Sequence, residues 1–147
     1  MITRRIALAT ALATGALVVA GCGMMDSGKS MMMGSAMTVP LTAANEVPPN
    51  ASAGTGTAKV DLDGTTLKWT VTYSGTTGPV TAGHFHGPAA AGANAGVVVP
   101  FPGPISSPIT GSATLTPAQV ADLKAGLWYV NLHTAANPGG ELRGQVK

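Results

Sequence analysis

From Thr66 to Tyr73 apolar and polar residues alternate without a break, with Leu67, Trp69, Val71 and Tyr73 on one side and Thr66, Lys68, Thr70 and Thr72 on the other. A period of two belongs to a strand with one buried and one wet face; a helix of 3.6 residues per turn cannot sort this run. Just before it, Ala58, Val60 and Leu62 alternate with Lys59, Asp61 and Asp63, and Asp63-Gly64 supplies a hairpin signal because both residues tolerate positive φ. The chain must therefore build an antiparallel hairpin with one apolar face and cover that face with more sheet.

The remaining segments read the same way. Val39 and Leu41 alternate in a first strand, which Asn45-Glu46-Val47-Pro48-Pro49 ends. Val80 to His86 follows a turn, then a Gly/Ala/Asn-rich loop runs from Gly87 to Gly96, and Val97-Val98-Val99 leads into prolines 100, 102, 104 and 108, which exclude a central strand there. Ile109 to Leu115 is a further strand. One helix is marked by Thr116 with Gln119 as a capping box, Pro117 at the first helical position, Val120 and Leu123 toward the core and Gly126 at the end. Trp128, Val130 and Leu132 alternate with Tyr129, Asn131 and His133; after Asn137-Pro138-Gly139-Gly140, Leu142, Gly144 and Val146 alternate with Glu141, Arg143 and Gln145. The pattern predicts an all-β domain, a Greek-key antiparallel β-sandwich of seven or eight strands with one short helix.

The N-terminus follows different rules. Arg4 and Arg5 precede an apolar run from Ile6 to Val19, too short to span a bilayer comfortably, and Val19-Ala20-Gly21-Cys22 follows. This resembles a bacterial lipoprotein signal, which implies a signal peptide over residues 1–21, acylation (palmitate included) at Cys22, and a membrane as partner through the lipid anchor. Cys22 is the single cysteine, so no internal disulfide is available to it; the plainer alternative is a free thiol after an ordinary secretory signal. Gly23 rather than Asp after the cysteine resembles outer-membrane sorting in Gram-negative bacteria, so the expected location is the cell envelope.

Residues 22–37 show no period and read as a flexible tether, with the folded domain at 38–147. The tether carries Met24, Met25, Met31, Met32, Met33 and Met37. Thioethers are soft ligands suited to Cu(I), so copper capture stands beside the reading of a spacer that happens to contain methionine. Of eight Lys/Arg against six Asp/Glu, Arg4 and Arg5 belong to the signal, leaving a near-neutral domain. Nothing in that balance favours nucleic acid.

All three histidines fall in Gly83-His84-Phe85-His86-Gly87-Pro88 and Asn131-Leu132-His133-Thr134. With Phe85 in the core, His84 and His86 point to the opposite face; with Val130 and Leu132 inward, His133 points outward with Tyr129 and Asn131, and Glu141 and Arg143 do the same on the last strand. Residues i and i+2 of a strand lie about 6.5–7 Å apart, within reach of one coordination sphere. Neutral imidazoles suit copper and zinc, and a third from a neighbouring strand makes a His₃ set; the divalent affinity order favours copper, with zinc as the second choice. The competing reading has the histidines bonding loop carbonyls and ordering the sandwich. Arg143 could draw an anion to the site, or simply form a solvated edge or pair with Glu141. No nucleophile elbow, paired-carboxylate motif or phosphate loop is present, which argues for a binding module rather than an enzyme, with a metal-handling or envelope protein as partner.

Four stretches in order carry a family likeness: Leu41-Thr42-Ala43-Ala44-Asn45-Glu46-Val47-Pro48-Pro49, Gly83-His84-Phe85-His86-Gly87-Pro88-Ala89, Leu115-Thr116-Pro117, and Trp128-Tyr129-Val130-Asn131-Leu132-His133-Thr134 through Pro138-Gly139-Gly140-Glu141-Leu142-Arg143-Gly144-Gln145. Residues 38–147 resemble the CHRD domain, named after chordin and common in bacterial secreted proteins. The resemblance implies a β-sandwich module without an established activity. The His-x-His strand is also similar, over a short stretch, to the copper-binding strand of Cu/Zn superoxide dismutase. A dismutase-like redox role would need the second histidine cluster and zinc-site aspartate of those enzymes, which this sequence lacks.

Overall fold

The computed structural model of the chain describes residues 35–147. The signal segment, Cys22 and Met24, Met25, Met31, Met32 and Met33 lie outside the described residues. Eight strands follow in order: β1 Ser35–Thr42, β2 Thr55–Asp63, β3 Thr66–Ser74, β4 Val80–His86, β5 Val97–Pro100, β6 Ile109–Thr114, β7 Trp128–Thr134 and β8 Leu142–Val146, with helix α1 at Pro117–Lys124 between β6 and β7 and a 3₁₀ turn at Ala43–Asn45. All pairings are antiparallel, in the order β5-β4-β7-β8-β1-β2-β3-β6. The fold is all-β.

The sheet curls over on itself. β3 and β4 are separated in the sheet by four strands, yet Trp69 of β3 stacks on Phe101 with centroids 5.4 Å apart and meets Phe85 of β4 edge-on at 5.3 Å. The bend falls between β1 and β8, which share the single register pair Thr42↔Arg143 and thus act as the seam between two layers. Gly144 permits that approach, since a Cβ there would overlap the Pro40 carbonyl. Between the layers the alternating apolar residues form one core, with Leu41, Val60, Leu67, Val71, Phe85, Val130, Leu132 and Leu142 at 1 % exposure or less. Burying each such side chain contributes on the order of 1.5–3 kcal/mol.

Local signals act largely as their chemistry dictates. Thr116 Oγ1 accepts from Gln119 N at 3.2 Å and Gln119 Oε1 accepts from Thr116 N at 2.9 Å, a complete capping box, with Pro117 opening the helix. The proline-rich segment after Val97 leaves β5 as an edge strand. Two boundaries differ from expectation. Asp63 pairs with Thr66, so Gly64 and Thr65 form the hairpin loop and Gly64 takes φ of 59° at its first position. β1 starts at Ser35, three residues before the expected Thr38, because Met37 pairs with Val60 and its half-buried side chain packs against the core. Met37 therefore belongs to the domain and not to a tether. Among the described residues no helix is long and apolar enough to cross a membrane.

Candidate metal centre

Strand parity sorts β4 as expected: Phe85 is fully buried, and His84 and His86 emerge on the opposite face. β7 does the same with Leu132 buried and His133 opposite. The β4–β7 register sets His84 against Asn131, His86 against Tyr129 and Ala82 against His133, which brings the two histidine segments together. Ring centroids stand 5.0 Å apart for His84 and His133, 5.4 Å for His84 and His86, and 6.4 Å for His86 and His133. One nitrogen from each ring can be chosen so that all three lie within 4.8 Å of one another. Three nitrogens on one ion at about 2 Å each lie about 3.3–3.5 Å apart, so the widest pair has to close by up to about 1.5 Å for all three to ligate one ion.

The far nitrogens are tied back. His86 Nδ1 lies 3.0 Å from Ala95 O and His133 Nδ1 lies 2.9 Å from Pro138 O. A carbonyl only accepts, so each Nδ1 carries the proton and each Nε2 presents a lone pair. His84 Nδ1 sits 3.2 Å from His133 Nε2, and His86 Nε2 is buried without a hydrogen-bond partner. Imidazoles fixed through one nitrogen to a backbone carbonyl, with the other nitrogen converging on a shared point, are the arrangement that orients metal ligands. The orphaned Nε2 is the group a cation would satisfy. Burial holds the His84 and His86 pKa values below the usual histidine range; the charges of His133 and His86 add to this for His84, and the Ala95 hydrogen bond partly opposes it for His86. Both rings are therefore neutral at pH 7, so an ion does not compete with a second ring proton; because His133 Nε2 accepts, His84 Nδ1 donates in their 3.2 Å contact, and His84 must exchange tautomer to ligate through that nitrogen.

A stack backs His86. Its ring lies parallel to Tyr129, 4.8 Å between centroids with planes 2° apart, and the Arg143 guanidinium carbon sits 3.5 Å from the Tyr129 centroid. Since β7 runs between β4 and β8, His86 and Arg143 flank the phenol from its two sides. The Tyr129 hydroxyl donates to Ala95 O at 3.3 Å and accepts from Ala95 N at 3.2 Å, while Arg143 donates to Asn94 Oδ1 at 2.7 Å and to Ala93 O. Arg143 thus latches the loop from Gly87 to Gly96 whose Ala95 carbonyl orients His86.

This changes the expected role of Arg143. It faces away from the core as parity requires, but it is 2 % exposed, and it neither stands open to an incoming anion at the histidines nor pairs with Glu141. Loops cover the outer face: Tyr129 and Asn131 are each 3 % exposed and Glu141 is fully buried. The sequence reading missed Tyr129 and Asn131 as site neighbours, although both share the parity of His133. It also missed the Ala95 and Pro138 carbonyls, which no side-chain motif announces.

Comparison with known proteins agrees with this architecture. Neither the curated proteins nor the solved structures contain a match to the chain. The CHRD-domain family model matches residues 37–146, a span that starts inside β1, holds all three histidines and ends at the last residue of β8. The chain belongs to the CHRD-domain family.

Proposed function

We propose that this protein is a lipid-anchored cell-envelope module that binds one copper-type ion through His84, His86 and His133, for storage, buffering or delivery to a metal-handling partner. The carrying observation is the tautomer lock on a close cluster: Nδ1 of His86 and of His133 are held by Ala95 O and Pro138 O, which leaves each Nε2 without the ring proton, and one nitrogen from each of the three rings lies within 4.8 Å of the others. Copper ranks ahead of zinc by the divalent affinity order for nitrogen sites. The methionines at 24, 25, 31, 32 and 33 would supply soft capture ahead of the histidines. The anchor rests on the signal ending at Cys22, and palmitate labelling of the wild type but not of Cys22→Ser tests it.

The competing reading, loop-ordering histidines, draws on the same two carbonyl bonds and the 3.2 Å His84–His133 contact. Competition titration of the metal-free protein with copper separates the two. The metal reading expects one tight equivalent, and Tyr129→Leu, which removes the stack and the hydroxyl on Ala95, should weaken it by about 10–100-fold, as loss of an outer-shell partner does. Uptake that is weak, or indifferent to Tyr129, would count against the site.

A further inference from the structure

A cavity of about 550 Å³ lies on the outer face of β1 and β8, and Arg143 lies between it and Tyr129. Its volume falls within the range of pockets that enclose small molecules. Two charged side chains that line it are themselves buried, Glu46 at 4 % exposure and Arg143 at 2 %, and a buried charge without a partner is costly. Glu46 Oε1 accepts from Asn131 Nδ2 at 2.6 Å, and no second side chain reaches the carboxyl among the described residues. Arg143 spends two of its five N–H groups on Asn94 and Ala93, and Lys147 adds positive charge at the rim. Pro40, Ala44 and Val47 add apolar surface to the same lining.

We propose that this cavity binds a small organic carboxylate, whose charge pairs with Arg143 and Lys147, whose oxygen meets the buried Glu46 carboxyl, and whose apolar body lies on Pro40, Ala44 and Val47. Guanidinium suits a carboxylate in geometry as well as charge. Glu46 is suited to donate: burial pushes its pKa up to about 7, against the opposing influence of Arg143 and the Val47 backbone. The charged groups facing it are Arg143 and Lys147 of β8 and the residue after it, while Asn131 of β7 is neutral. Because the donor form is lost as pH rises through about 7, affinity should fall about tenfold from pH 6 to pH 8. The proposal is independent of metal at the histidines.

Calorimetric titration of the full-length, metal-free protein with octanoate, octylamine and octanol tests it. Octanoate should bind one to one with the stated pH dependence, at least about tenfold tighter than either analogue. Glu46→Gln, which keeps a donor but does not titrate, should bind octanoate equally at both pH values. Thr38→Trp, which fills the cavity from an exposed position on β1, should abolish binding while thermal unfolding stays unchanged. Equal affinity for the three probes, no octanoate uptake, or a pH dependence surviving in Glu46→Gln would overturn the proposal. If Thr38→Trp unfolds, Ala44→Leu serves as the blocking variant, and full binding by a folded blocked protein would overturn it too.

Discussion

Glu141→Ala is expected to destabilise the domain by about 3–5 kcal/mol, a large share of the total for a domain of this size, read as a lowered urea midpoint. Glu141 is fully buried and accepts from Ser52 Oγ at 2.6 Å, Thr77 N at 2.7 Å, Thr77 Oγ1 at 2.6 Å, Asn137 Nδ2 at 3.1 Å and Thr134 Oγ1. Removing the carboxylate leaves several buried donors unpaired, and each such orphan costs about 1–3 kcal/mol before relaxation. Burial alone would raise its pKa, but the donors from Ser52, Thr134 and Thr77 outweigh it and hold the value at about 2. A folded pKa below the ordinary 4.5 means that the stabilisation is complete above pH 4.5 and is lost as pH falls toward 2. The wild type should therefore lose stability across that window, and Glu141→Ala should show a shallower slope there. The same carboxylate ties together the turn from Thr134 to Glu141 that carries the Pro138 carbonyl, so fold stability and the orientation of His133 share one anchor.

The second large effect concerns the histidines. His84→Ala/His86→Ala should lower copper affinity by more than about a hundredfold, beyond the cost of losing an outer-shell partner. The fold should change little, because the two rings are only half buried and the substitutions remove two hydrogen bonds, His84–His133 and His86–Ala95, each worth about 1 kcal/mol, and the His86–Tyr129 stack, worth about 0.5–1.5 kcal/mol. Loop-ordering histidines predict the opposite pair of results: equal, weak copper uptake in both proteins, and a stability loss well above the sum of those three contacts. Competition titration and urea unfolding on the same two samples read both quantities.

The strands and their faces were legible because a period of two survives in sequence wherever one face is buried. The run from Thr66 to Tyr73, the helix opening at Thr116 and the facing of His84, His86 and His133 all follow from that periodicity or from capping chemistry. Closure of the layers into one curled sheet was not legible, since it depends on which edges meet, and the single pair Thr42↔Arg143 leaves no local signature. Parity likewise says which face a residue takes but not what covers that face. Arg143, Tyr129, Asn131 and Glu141 are polar or amphipathic residues on an outer face, and the loops from Ala43 to Asn50 and Gly87 to Gly96 turn that face into a second interior. Met37 illustrates the reverse case. It sits among small residues without pattern, and only pairing with Val60 draws it into the domain.

X-ray absorption at the copper edge of protein loaded with one equivalent reads the coordination sphere of the bound ion. A single ion held by three imidazoles gives three imidazole nitrogens at about 2 Å in the wild type, falling to one in His84→Ala/His86→Ala. A wild-type sphere built from sulfur, or one with fewer than three imidazoles, would contradict it.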